Sequence, residues 1–289
     1  MFVSGFTIVR NAIKYDYPVK ESIESILPLC DEVIVLVGNS DDGTRALIES
    51  IGSAKIKIHQ SIWNDALRVG GKVLAVETDK AFKLINPKAD WCIYIQADEV
   101  IHEQYHKKVL KAMQTWLTHK EVEGLLFGYK HFFGNFNYLA TSRSYYRNEI
   151  RVIRNNPAII SYRDAQGFRK NGEKLNVKPS EGQVYHYGWV RHPDMMRQKI
   201  KNFHQLWHND DWIDAQENLN RDFDYNEIDS VETFNGSHPS VMKSRIKLKN
   251  WDFKPSFNPI QKSFKKKLLF WLESKTGIRL GEYKNYKLL

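Results

Sequence analysis

Apolar and polar positions alternate in a regular way over the first hundred residues. Gly5-Phe6-Thr7-Ile8-Val9 predicts a first strand, followed by Arg10-Asn11-Ala12. Residues 19–29 place apolar side chains at 19, 23, 26, 27 and 29, the spacing of an amphipathic helix. Val33-Ile34-Val35-Leu36-Val37 is nearly continuous in apolar residues, as expected for a strand covered on both faces. The polar turn 38–44 is rich in capping residues and leads into a helix over 44–51. A short strand at 56–58, a helix over 70–85 and a strand at 91–95 follow. This β-α-β-α alternation predicts an α/β fold: a mostly parallel sheet with helices on its faces. Ligands of such sheets collect at the C-terminal ends of the strands. That places Arg10-Asn11, the turn at 38–44 and Asp98-Glu99 around one crevice.

The middle of the chain reads differently. Strands are expected at 124–129 and 145–154, with further aromatic, mixed or antiparallel material through Tyr185-His186-Tyr187-Gly188-Trp189. Residues 193–207 look helical, 209–260 show no assignable pattern, and 264–275 predict a short basic amphipathic helix.

Composition narrows the class. The chain has 289 residues, 42% hydrophobic and 13% aromatic, enough for one substantial core plus an appendage and unlike a disordered chain. No apolar run approaches the roughly 20 residues of a membrane span, and residues 1–10 lack the pattern of a signal peptide. Cys30 and Cys92 sit in or beside apolar runs, which suits two reduced, buried thiols and a cytosolic protein. The net charge of +9 is concentrated in residues 240–289, which hold 13 Lys+Arg against 3 Asp+Glu. A basic tail of this kind suits anionic lipid headgroups or nucleic acid, or is a solvated face.

The motifs resemble those of a family 2 glycosyltransferase with the GT-A fold. They are the first strand ending in Arg10-Asn11, Asp31-Glu32-Val33-Ile34-Val35 before Ser40-Asp41-Asp42-Gly43-Thr44, and Asp90-Trp91 leading to Ala97-Asp98-Glu99. The likeness covers the first 100 residues well and continues loosely to His186. A bacterial subgroup is similar around Gln96-Ala97-Asp98-Glu99, Asp164-Ala165-Gln166-Gly167-Phe168, Tyr185-His186-Tyr187-Gly188-Trp189 and Tyr283-Lys284-Asn285-Tyr286-Lys287. The resemblance implies a GT-A-like, Rossmann-type mixed sheet with helices on both faces and a helical, basic C-terminal extension. The implied division is a catalytic domain over 1–190 (nucleotide-sugar half 1–100, acceptor half 101–190) and an extension over 191–289. It implies a nucleotide-sugar donor, an inverting transfer to a glycan or lipid-linked glycan, as in cell-envelope polysaccharide assembly, and Mg²⁺ or Mn²⁺. It also implies a cytoplasmic, peripheral location on the inner membrane face, with no nucleic acid as partner. Two positions depart from the family. An acid usually ends the second strand, where this chain has Val37-Gly38. The metal motif usually has an acid at the position of Gln96, and a neutral Gln lowers the charge of the site.

Each candidate has a chemical reason. A departing nucleotide diphosphate builds up negative charge, so Asp98 is the expected metal ligand. The resemblance implies His186, late in the fold, as the second ligand, although its place between tyrosines also suits a satisfied core histidine. Glu99 fits the same role or the first turn of a following helix. An inverting transfer needs a base for the acceptor hydroxyl, and Asp164 or Glu149 would supply it. Arg68 and Lys72, flanking Gly70-Gly71 before a helix, suit a pyrophosphate or are surface charge. Arg10 and Asn11 suit the nucleoside pocket, and Asp41 and Asp42 suit a ligand or a turn and cap. The tail helix (Phe264, Leu268, Phe270, Trp271 and Leu272 beside Lys262, Lys265, Lys266 and Lys267) suits a lipid interface or a surface helix.

Two other classes compete. His102-Glu103-Gln104-Tyr105-His106 satisfies H-E-x-x-H, the pattern of zinc hydrolases, although no third ligand follows at the extended spacing and histidines on a helix surface read better. Val37 and Gln96 motivate a non-catalytic glycan- or membrane-binding protein on a transferase fold.

Overall fold

A computed structural model describes residues 1–67, 69–215, 223–225, 228, 230–255 and 264–289. The expected α/β alternation is present. The order is β1 (Val3–Val9), α1 (Val19–Ile26), β2 (Glu32–Val37), α2 (Thr44–Glu49), β3 (Ile56–Gln60), α3 (Lys72–Lys83) and β4 (Trp91–Tyr94). These four strands pair in parallel in the order β3-β2-β1-β4.

Alternation along β2 explains why both faces are covered. Val33, Val35 and Val37 pack with Val19, Ile23 and Ile26 of α1, whereas Ile34 and Leu36 pack with Val73, Ala81 and Phe82 of α3. All of these side chains are buried. Each Val, Ile, Leu and Phe among them contributes about 1.5–3 kcal/mol by leaving water, so the parallel half is a well-fixed platform.

The sheet then turns antiparallel. After β5 (Glu99–Ile101) and α4 (His106–Thr115) come β6 (Gly124–Phe133), β7 (Tyr138–Ala140) and β8 (Asn148–Arg154). Strand β8 lies between β4 and β6, antiparallel to both. A small sheet of β9 (Ile159–Tyr162), β10 (Gly167–Lys170) and β11 (Glu173–Lys174) packs over the α3 face. The long β12 (Asn176–Trp189) runs parallel to β6 and antiparallel to β5. The result is a mixed sheet with helices on both faces.

The described residues after 190 add further elements, several of which pack onto this sheet. They form α5 (Pro193–Gln205), α6 (Asp210–Asp214), β13 (Val231–Thr233), α7 (Lys243–Lys247), α8 (Phe264–Thr276) and β14 (Lys287–Leu288). Strand β13 extends the sheet through β7, and β14 pairs with β12. Tyr286 joins the α3-side core. Part of the tail's charge is used internally: Arg245 binds Asp16 and Glu21, and Arg279 binds Glu273. Lys262 and the side chains of Phe264, Lys265, Lys266 and Lys267 lie outside the described residues. No helix among the described residues is long and apolar enough to cross a membrane.

Candidate active site

A cavity of about 310 Å³ opens at the C-terminal ends of β1 and β4. Its walls include Ile8, Val9 and Arg10 after β1, Gln96-Ala97-Asp98 after β4, and Asp164-Ala165 between β9 and β10. His186 and Trp189 of β12 and the inner face of α5 complete it. Four of the expected residues therefore converge: Arg10, Asp98, Asp164 and His186.

The turn carrying Asp98 is anchored by the residue next to it. Glu99 is fully buried and receives Nε and Nη2 of Arg151, each at 2.7 Å, and the Tyr129 hydroxyl at 2.8 Å. The Arg151 guanidinium sits over the rings of Tyr94 and Tyr129. Glu99 is thus neither a metal ligand nor a helix-start residue. It belongs to β5 and is committed to a buried ion pair. The Asp98 backbone carbonyl accepts from Tyr187 N at 2.8 Å, which leaves the carboxylate facing the cavity. Gln96 spends its amide on the Ala165 carbonyl, at 3.3 Å. It ties the Asp98 turn to the Asp164 turn instead of adding charge.

Asp98 has a cationic partner that the sequence reading missed. Lys199 Nζ lies 3.2 Å from Asp98 Oδ2 and 2.8 Å from the Gly188 carbonyl. Burial alone would raise the Asp98 carboxyl, but Lys199, His186 and Arg191 outweigh it and hold it well below the usual carboxylate range. Burial pulls His186 down to about 4, so at neutral pH the histidine is uncharged and the two cations carry the effect. Burial and Arg191 bring Lys199 down to about 8, against the pull of Asp98, so it stays charged at pH 7. The signal was present in the sequence. Met196, Lys199, Ile200 and Phe203 share one helix face, and a lysine interrupts that otherwise apolar stripe.

His186 Nε2 lies 3.7 Å from Asp98 Oδ1. On its other side, His186 Nδ1 meets His131 Nδ1 at 3.0 Å, and His131 Nε2 meets the Tyr146 carbonyl at 2.7 Å. A methyl group on Gly188 would fall 2.5 Å from His186 Nε2 and 2.9 Å from Asp98 Oδ2, so the glycine keeps the space between them open. Two ligands of one Mg²⁺ or Mn²⁺ stand about 3–4 Å apart. An oxygen and a ring nitrogen facing one small open space fit such an ion. No group of three or more His, Cys, Asp or Glu converges among the described residues, so bound nucleotide or water would supply the remaining ligands.

Asp164 sits between Arg163 (φ 58°) and Ala165 (φ 63°), two non-glycine residues in the left-handed region. Such conformations persist only where the surroundings impose them. Gly71, itself at φ 67°, packs so closely that a methyl there would lie 2.8 Å from Asp164 Cβ. Burial raises the Asp164 carboxyl, which makes it a stronger base.

Several expected residues are elsewhere. Glu149 is buried, does not line the cavity, and accepts from Gln166 at 3.0 Å and Asn285 at 3.4 Å. Burial, partly offset by Arg151, pushes its carboxyl up to about 7. Asn11 is buried at φ 55° and holds Asp41 N and Ser40 Oγ, so it fastens a loop. Asp42 caps α2 through Thr44 and also accepts from Lys14 N. Asp41 pairs with Lys14. Lys72 is exposed and outside the cavity wall, and Arg68 lies outside the described residues.

The missing acid after β2 has a physical reason. The indole of Trp63 lies against Gly38, where a methyl would be 2.5 Å from Nε1. Trp63 walls the cavity, with the Arg10 guanidinium 5.8 Å from its ring centre. Asp65 orients Arg10 at 2.6 Å.

The zinc reading does not survive the geometry. His102 Nδ1 accepts from Gln104 N and Nε2 contacts Ser237, so both ring nitrogens are engaged. Glu103 caps Ser240 N. His102 precedes a 3-10 turn and His106 opens α4, so the two do not share one helix face as the motif requires. His102 is also buried, not a surface histidine.

No family profile and no curated protein matches this chain. Among solved structures, residues 1–349 of S. aureus TarS, also crystallised with UDP, align over 70% of this chain and 64% of that one. The TM-score is 0.39 and the identity 14%. Glucosyl-3-phosphoglycerate synthase from Mycobacterium tuberculosis, in complex with Mn²⁺, UDP and phosphoglyceric acid, aligns over 46% of this chain and 43% of that one. There the TM-score is 0.30 and the identity 20%. The chain thus spans less than two thirds of either structure. At these scores the likenesses are too distant to transfer an activity.

Proposed function

We propose that the chain is a glycosyltransferase that moves a sugar from a nucleotide-sugar to a glycan or lipid-linked glycan, with inversion. The observation that carries this reading is the convergence of Asp98, Lys199 and His186 on one wall of the cavity, with Asp164 also lining it. Such an arrangement suits a leaving diphosphate near the cations and a base near the incoming hydroxyl.

In this reading Arg10 and Trp63 face the nucleoside. The described contacts of Lys199 use two of its three donors, and the third serves a phosphate oxygen. Asp164 takes the proton of the acceptor hydroxyl as that oxygen attacks the sugar carbon opposite the departing phosphate. Asp98 and His186 would hold a divalent cation, and when bound it would neutralise charge on the leaving diphosphate. The apolar wall of α5 excludes water that would otherwise hydrolyse the donor. Leu268 and Trp271 stand exposed on α8, which supports presentation of a lipid-linked acceptor at the cytoplasmic membrane face.

Asp98→Ala should lower sugar transfer by about 100-fold or more while the circular dichroism spectrum stays that of the parent. Transfer at the parental rate in that variant contradicts the assignment of the site.

A further inference from the structure

The two buried histidines form a relay whose proton positions follow from its far end. The Tyr146 carbonyl can only accept, so His131 Nε2 carries a hydrogen and donates to it at 2.7 Å. In a neutral imidazole the other nitrogen is then an acceptor, so His131 Nδ1 offers a lone pair. The 3.0 Å contact between the two Nδ1 atoms needs one hydrogen, and His186 must supply it. That leaves His186 Nε2 without a hydrogen, facing Asp98 Oδ1 across 3.7 Å. The opposite arrangement would set a ring lone pair against the Tyr146 carbonyl at 2.7 Å, which is repulsive.

The pair is built into the sheet. His131 of β6 and His186 of β12 are partners in the parallel register, and His131 is buried and stacked on Tyr129. His131 does not line the cavity, so it meets the reaction only through His186.

We infer that His131 is a positioning residue that fixes His186 in the tautomer whose Nε2 lone pair, with Asp98 Oδ1, forms a divalent-cation site. The inference rests on the transferase reading for its purpose, but the tautomer itself does not. A neutral histidine free to choose would spend part of its time with a hydrogen on Nε2, which faces no acceptor within hydrogen-bonding distance and blocks an ion. Partners of this kind on ligating histidines typically change metal affinity by about 10–100-fold.

The test has two readouts independent of turnover. Nitrogen-15 NMR of the metal-free protein at neutral pH should show His186 Nε2 with the shift of an unprotonated ring nitrogen and Nδ1 with that of a protonated one. Mn²⁺ titration by calorimetry, with UDP present, should then show about 10–100-fold weaker binding in His131→Phe. His131→Asn should restore affinity to within about threefold of the parent, because its side-chain carbonyl takes the place of His131 Nδ1 and accepts from His186 Nδ1. The Asn variant also guards against a Phe variant that merely misfolds. A protonated Nε2 in the parent overturns the inference, as does equal Mn²⁺ affinity in the parent and a folded Phe variant. Absence of binding to UDP, GDP, CMP and dTDP alike, with or without Mn²⁺, overturns the transferase reading while the NMR result still decides the tautomer.

Discussion

Asp98 and Glu99 are adjacent and chemically alike, yet the fold gives them opposite work. One faces the cavity beside an ammonium, and the other is sealed against Arg151 with no exposure. The sequence favoured Asp98 as the ligand but left the role of Glu99 open, because what decides it is a partner 52 positions away. His186 was legible as a late histidine on a family pattern. His131 was not, since only strand register places it beside His186. Glu149 shows the opposite failure: an acid near a motif that the sheet buries away from the site. Its carboxyl, raised from 4.5 to about 7 by burial, gives a pH test. Between those values the folded chain holds a proton that the unfolded chain has released, so stability falls as pH rises through this window. Glu149→Gln should remove that fall. The variant should be more stable than the parent at pH 8 by on the order of 2 kcal/mol, and no more stable near pH 4. Asn285 Oδ1, unpartnered among the described residues, can turn to meet the new amide. Urea melts at both pH values check this, and an unchanged slope contradicts it.

At the scale of elements, the parallel half was readable because each strand is a buried apolar run followed by an amphipathic helix. The antiparallel half was only partly readable. β8 alternates charge and bulk over Glu149-Ile150-Arg151-Val152, the pattern of a strand with one polar face, yet residues 149–153 are all buried, so the expected polar face is not exposed. Its arginines are spent differently: Arg151 on Glu99, and Arg154 on the carbonyls of Trp116, Leu117, His119 and Val122. The Glu99–Arg151 pair links β5 to β8 and so sets the turn on which Asp98 stands. Removing one partner of a fully buried pair leaves an uncompensated charge. Arg151→Met should cost about 3–5 kcal/mol, measured by denaturant unfolding at pH 7. A cost below about 1 kcal/mol would show that the pair does not hold the turn. Helix α5 was predicted correctly as a helix, but its role as a cavity wall follows only from how it folds back over β1 and β4.

For the whole molecule, the tail is both more and less than a basic extension. Residues 283–289 return to the sheet, with Asn285 on Glu149, Tyr286 in the core and β14 against β12. Charge counting could not show this, because the relevant contacts are a buried amide and a buried aromatic. Arg245 and Arg279 are engaged within the protein, which leaves α8, with exposed Leu268 and Trp271, as the part suited to a lipid surface. Sedimentation with vesicles containing anionic lipid should carry the protein down at low salt. Binding should weaken in Trp271→Ala and fall steeply with ionic strength. Equal sedimentation with neutral vesicles, or none with anionic ones, contradicts that part of the proposal. The central claim is that the cavity at the ends of β1 and β4 binds a nucleotide-sugar. Its most direct test is thermal unfolding against UDP-, GDP-, CMP- and dTDP-sugars, in the parent and in Asp98→Asn, with and without Mn²⁺. One donor should raise the parental melting temperature by mass action and leave the variant's nearly unchanged. A melting temperature indifferent to every nucleotide-sugar, or raised equally in both proteins, contradicts the account.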